Sequence, residues 1–191
     1  MRFTRAQLEA HRGATLPDVL GPGVRLLFVG INPGLWTVAV QAHFARPGNR
    51  FYPALLRGGV VDRLIDASRG YTPADLAGLT SRGIAITNLV ARATARAEEL
   101  SRDELVAGAR ALEQRIPRIA PKVVAVLGIT AFRTAFERPS ATIGRQAEDF
   151  GGAELWVVPN PSGLNAHSRI EDFARAFREV AVAAGIPVEP R

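Results

Sequence analysis

The stretch "LLFVGINPG", Leu26–Gly34, decides the fold. Its apolar residues occupy successive positions instead of alternating, and the run is too short for a helix. That is the pattern of a strand buried on both faces. The run stops abruptly at an amide, Asn32, and Pro33 and Gly34 then turn the chain. A second run, "LWVVPNPSGLN" at Leu155–Asn165, ends in the same way at Asn160, Pro161 and Gly163. Two such endings in one chain point to two related positions in one architecture.

Working outward, four segments read as buried strands: Arg25–Ile31, Ile84–Val90, Val123–Gly128 and Leu155–Pro159. Helical patterns fall between and after them. Thr72 precedes Pro73 as an N-cap before a proline at the first helical position. Ser101 to Glu104 is a capping box opening a helix with Leu105, Ala109, Leu112 and Ile116 on one face. Ser168 to Glu171 reads as another, followed by Ile170, Phe173, Ala174, Phe177 and Val180 at helical spacing. Asn49 to Leu56 reads as a short helix. Strands alternating with helices predict a three-layer α/β/α sandwich around a central, mostly parallel four-stranded sheet. One domain over residues 1–191 is expected, with no repeat or linker. In such sheets ligands bind beyond the carboxyl ends of the strands. Both Asn-Pro turns sit at such ends, so they are expected to face each other across a cleft.

The composition, 47% hydrophobic and 22% charged, is that of a globular chain and not a disordered one. No apolar run approaches the ~18–20 residues of a membrane span, so no membrane association is expected. The first residues carry charges throughout, without the apolar core of a secretory leader, and a cytoplasmic location is the expectation. With no cysteine, disulfides and thiol nucleophiles are excluded. The net charge of +6 suits a polyanionic partner. Lys122 is the only lysine among 24 basic residues. Arginine forks suit phosphates and base edges, although genomic base composition accounts for the bias equally well.

Known signatures are missing from the first turn. "GINPG" lacks the lysine of a P-loop and the spacing of a dinucleotide fingerprint. His11, His43 and His167 are too scattered for a zinc motif, and neither a metal nor a cofactor is expected. No serine elbow is present. What remains at the strand ends are neutral amides and backbone N–H groups, which can orient water and stabilise a developing anion.

"GINPG" at Gly30–Gly34, "HFARPGNRFY" at His43–Tyr52, "TNLVARAT" at Thr87–Thr94 and "NPSGLN" at Asn160–Asn165 carry a resemblance. Together, in order and over most of the chain, they resemble the mismatch-specific uracil-DNA glycosylase / thymine-DNA glycosylase branch of the uracil-DNA glycosylase superfamily. The resemblance implies an enzyme that flips a base out of duplex DNA and hydrolyses its glycosidic bond. Asn32 matches the catalytic asparagine that positions the attacking water; read alone, it is better taken as a turn amide bonded to its own backbone, and the accompanying motifs shift the reading to catalysis. Backbone N–H groups near Ile31 and Phe44 would stabilise the departing base as an anion. Phe44 matches the aromatic that stacks on the flipped base. Asn88 matches a pocket residue able to read a pyrimidine edge, and alone it reads as well as an amide capping a strand. Thr37, with Trp36 and Val38, is expected to shape the base pocket. Asn49 and Arg50 read as structural or phosphate-facing.

Asn160, Pro161, Ser162, Gly163, Leu164 and Asn165 match the loop that enters the duplex. Leu164 would be the wedge, and Gly163 and Asn165 would meet the orphaned guanine. Two residues depart from relatives. Ala91 replaces a frequent carboxylate and Ala166 an occasional arginine. A lyase step needs an amine, and Lys122 is expected to lie far from the site, so a monofunctional enzyme is expected.

The expected partner is double-stranded DNA carrying a G·U mismatch, bound by a monomer that associates with the nucleoid when on DNA. Related modified pyrimidines such as ethenocytosine are further expected substrates. Two alternatives from other classes are a damage-recognition module with little catalysis and an enzyme acting on free nucleosides. The Leu164 loop argues against the second, because a wedge needs a duplex.

Overall fold

A computed structural model describes residues 3–162 and 169–190. In chain order the elements are α1 (Arg5–Glu9), β1 (Leu26–Gly30), α2 (Leu35–Val40), α3 (Phe51–Arg57), α4 (Pro73–Thr80), β2 (Ile84–Asn88), a 3-10 turn (Ala97–Glu99), α5 (Arg102–Ile119), β3 (Val123–Leu127), α6 (Ile129–Ala135), β4 (Gly144–Arg145), β5 (Glu154–Val158) and α7 (Ile170–Ala183). The strands form one sheet in the order β2-β1-β3-β5-β4. All neighbours are parallel except β4, which runs antiparallel to β5.

The expected four-stranded sheet is therefore five-stranded. β4 adds a two-residue edge, Gly144 opposite Val157 and Arg145 opposite Trp156. A strand that short has no alternation of its own, so nothing in the residue pattern marks it. The four longer strands lie within a residue or two of their expected places.

Both faces of the sheet are covered. On one, Leu26, Phe28, Ile84 and Ile86 pack with Phe51, Leu55, Phe173 and Phe177 of α3 and α7. On the other, Leu27, Val29, Val124 and Val126 meet Leu105, Leu112 and Ile116 of α5 and Phe132 of α6. Successive residues of one strand thus enter opposite cores, which is why its apolar run is unbroken.

The caps of α4 and α5 are those expected: Thr72 accepts from Asp75 N–H, and Ser101 from Glu104 N–H. α7 differs. Its N-cap is Arg169, whose N–H donates to the Asp172 carboxylate at 3.1 Å, so the expected box from Ser168 to Glu171 is displaced by one residue. Ser168 lies outside the described residues. The short helices α1, α2 and α6 leave no readable period, being two turns or less.

Candidate active site

The carboxyl ends of β1, β2, β3 and β5 border a cleft of about 370 Å³. That lies within the range of small-molecule sites, ~300–1,000 Å³. Beyond β1 and β2, "GINPG" and "TNLVARAT" run side by side. Leu89 N–H donates to Gly30 O at 2.9 Å, Val90 N–H to Ile31 O at 3.0 Å, and Thr94 N–H to Pro33 O at 3.2 Å. This pairing delivers Asn32 into the cleft with Arg92 and Thr94 behind it.

The Asn32 amide is fixed in one orientation. Its Nδ2 donates to Arg92 O at 3.0 Å and to Thr94 Oγ1 at 2.8 Å. Thr94 is buried and uses its own hydroxyl proton on Arg96 O at 2.7 Å, so towards Asn32 it can only accept. With both amide protons committed, Oδ1 is the end left for the cleft. Arg92 is pinned in turn, its Nη2 donating to Glu104 Oε2 at 2.9 Å and to Glu99 O at 3.3 Å. Those hydrogen bonds from Arg92 hold the Glu104 carboxyl down at about 2. Glu104 also closes the capping box of α5, so a helix start braces the asparagine through one arginine.

Across the cleft, Phe44 takes φ of 55°, a left-handed conformation uncommon for a bulky residue. Its ring stacks on Phe51 at 4.1 Å between centroids, leaving its other face for the cleft. Its N–H meets no acceptor among the described residues. Gly30 stands opposite Asn88 in the β1–β2 register. A Cβ at Gly30 would collide with Asn88 Oδ1 and come within 3.5 Å of the Phe44 ring. The glycine of "GINPG" therefore makes room for both side chains.

Asn160 and Ser162 border the same cleft. Asn160 Oδ1 accepts from Ser162 N–H at 3.1 Å, closing an Asx turn at the root of the loop. Arg50 holds that root: its N–H donates to Pro161 O at 3.0 Å and its Nη2 to Ser162 O at 3.1 Å. The guanidinium also lies 4.6 Å over the Phe173 ring. Of its two expected roles, the structural one matches this geometry. Gly163, Leu164 and Asn165, named as loop residues, and Ala166 lie outside the described residues.

Asn32, Ile31, Phe44, Asn88, Thr37, Asn160 and Ser162 thus line one cleft, with Pro161 buried just behind. Trp36 and Val38 do not line it. Trp36 instead donates from Nε1 to Ser68 O at 3.2 Å, and Val38 packs with Leu16, Leu35 and Ala93. Arg46 and Arg96 are exposed on the rim, and Glu98 is the only carboxylate on the lining among the described residues. Ala91 is exposed and off the lining. Lys122 precedes β3 at the amino end of the sheet, opposite the cleft.

Sequence reasoning missed three parts of the site: Thr94 and Arg92, which hold the Asn32 amide, and His43, which also lines the cleft. Thr94 and Arg92 lie in a quoted motif, but hydrogen bonds to Asn32 from 60 residues away leave no local signal.

An α/β sheet with an amide-lined cleft beyond its carboxyl edge defines the class of protein. Residues 17–181 match the uracil DNA glycosylase superfamily, and the chain belongs to that superfamily. A Methanosarcina acetivorans protein, described provisionally as a uracil DNA glycosylase and solved by NMR, shares the fold. It superposes with a TM-score of 0.55 at 18% identity, over 89% of this chain and 98% of that one.

Proposed function

We propose that the protein is a monofunctional DNA glycosylase that removes uracil, and related modified pyrimidines, from G·U mismatches in duplex DNA. One observation carries the reading: an asparagine amide with both protons tied back, its oxygen facing a cleft walled by an aromatic ring. In this mechanism the target base is flipped and stacks on the free face of Phe44. Asn32 Oδ1 accepts from a water and aims it at the sugar carbon. A neutral amide is a weak base, so departure of the base leads and water attack follows. The Phe44 N–H, with no acceptor among the described residues, donates to the oxygen on which the departing base's charge develops.

Arg46 and Arg96 on the rim would face phosphates, while Leu164, carried on the loop that Arg50 anchors, would fill the vacated stack. Lys122, at the far end of β3, is poorly placed to form a Schiff base, so the product is an abasic site. The enzyme would act as a monomer.

The test is base release from a duplex with a single G·U pair, read as alkali-labile strand breaks under single-turnover conditions. Breaks at the uracil are expected, and intact strands after long incubation with excess enzyme would overturn the reading. With Asn32 the one group assigned to position water, a recognition module with little catalysis is the second reading. Tight mismatch binding without release of any modified base would favour it.

A further inference from the structure

His43 is buried at 2% exposure and belongs to no step above, yet it is held at every polar atom. Its backbone N–H donates to Tyr71 Oη at 3.1 Å, and its carbonyl accepts from Tyr52 Oη at 2.9 Å. The two hydroxyls lie 2.5 Å apart; since Tyr52 donates to the carbonyl, Tyr71 donates to Tyr52. At the ring, Nε2 lies 3.0 Å from Pro17 O. A carbonyl only accepts, so Nε2 carries the proton, and Nδ1 of the neutral ring presents a lone pair. Burial lowers the pKa of the ring, which keeps it in that neutral form.

That lone pair faces Asn88, with Nδ2 at 3.5 Å from Nδ1, at the long limit of a hydrogen bond. The opposite flip of the Asn88 amide would set its oxygen against the same lone pair. In the observed flip, Oδ1 lies over Gly30, where the missing Cβ leaves space. The second Nδ2 proton meets no acceptor among the described residues, so Asn88, which lines the cleft, offers it a donor and an acceptor in fixed order.

We propose that His43 is a specificity-determining positioning residue: it holds the Asn88 amide in one flip state and so makes the pocket read uracil and reject cytosine. The proposal rests on the uracil reading above and deepens it. Uracil presents N3–H as a donor and O4 as an acceptor, whereas cytosine presents N3 as an acceptor and its 4-amino group as a donor. The two edges are related by the exchange that an amide flip produces. An asparagine free to turn would accept either base, and one that is held accepts one. Pro17 sits in the segment that pairs with the sheet edge through the Val19–Ile86 bridge, so the edge fixes the ring and the ring fixes the amide.

The test uses duplexes in which a non-cleavable 2′-fluoroarabino uridine or cytidine stands opposite an abasic site, so that neither base is paired. Affinities are measured for the wild type and for His43→Phe, which removes the Nδ1 acceptor. The wild type should prefer uracil, and the preference should fall by roughly three- to tenfold in the variant, the worth of one or two neutral hydrogen bonds. An unchanged preference in a folded variant would overturn the proposal. If His43→Phe does not fold, ¹⁵N–¹H correlations of the wild-type histidine decide. An Nε2–H tautomer that persists when the uracil duplex binds supports the lock, and a protonated Nδ1 contradicts it. A wild type indifferent to the two bases would defeat the uracil reading itself, while the tautomer would remain separately measurable.

Discussion

Asn32 Nδ2 donates to Thr94 Oγ1 at 2.8 Å, and this bond orients the amide across 62 residues of sequence. Because Thr94 donates onward to Arg96 O, the direction of the bond is set. Thr94→Val keeps the shape but removes the acceptor, so the amide can turn. The single-turnover rate of uracil release should fall roughly 100-fold, the scale of a misplaced reacting group, while duplex affinity changes little. Thr94→Ser should recover most of the rate. Equal loss in both variants would argue that the methyl packing matters and the hydroxyl does not.

Glu104 ties the same assembly to pH. Its carboxyl is held at about 2, first by the Arg92 hydrogen bonds and then by the Ser101 backbone. A carboxyl depressed in the folded state contributes stability that is fully present above its unfolded value, near 4.5. That contribution is lost as pH falls from about 4.5 towards about 2. Urea midpoints of the wild type and Glu104→Gln should therefore differ at neutral pH and converge across that window. A gap independent of pH would remove the ion pair from the account.

Gly30→Ala tests the space shared by Asn88 and Phe44. The added methyl collides with the side-chain oxygen of Asn88, its partner in the strand register, so the amide must turn away from its place in the cleft. Binding to a non-cleavable uracil duplex should weaken markedly, with melting temperature lowered by a few degrees. Phe44→Leu should cost roughly 1–3 kcal/mol of base binding through lost stacking. Wild-type affinity in both variants would show that the base does not occupy this cleft.

Arg50→Lys keeps the charge but loses the fork that holds Ser162 O and covers the Phe173 ring. With the loop root released, activity on duplex DNA should fall more than activity on single-stranded uracil DNA, since a wedge matters only where a stack must be opened. Parallel losses on the two substrates would make Arg50 a residue of general stability.

The strands were legible because burial on both faces writes itself as short unbroken apolar runs, as in Leu26 to Val29. The caps at Thr72 and Ser101 were legible because their chemistry is local. β4 was not, since two residues paired with Val157 and Trp156 carry no pattern. Nor was the Arg169 cap, where Asp172 and Glu171 are both acidic and only geometry separates them. In the site, Asn32, Phe44 and Asn88 stood out through their motifs. Thr94, Arg92 and His43 act through bonds to distant segments, one of them a main-chain carbonyl at Pro17, and no spacing rule reaches those.

The most direct measurement is the single-turnover rate of uracil release from a G·U duplex by the wild type and by Asn32→Ala, with duplex affinity measured in parallel. The account predicts release by the wild type, a rate lower by roughly 100-fold or more in the variant, and nearly equal affinity. Release at the wild-type rate by Asn32→Ala would contradict it.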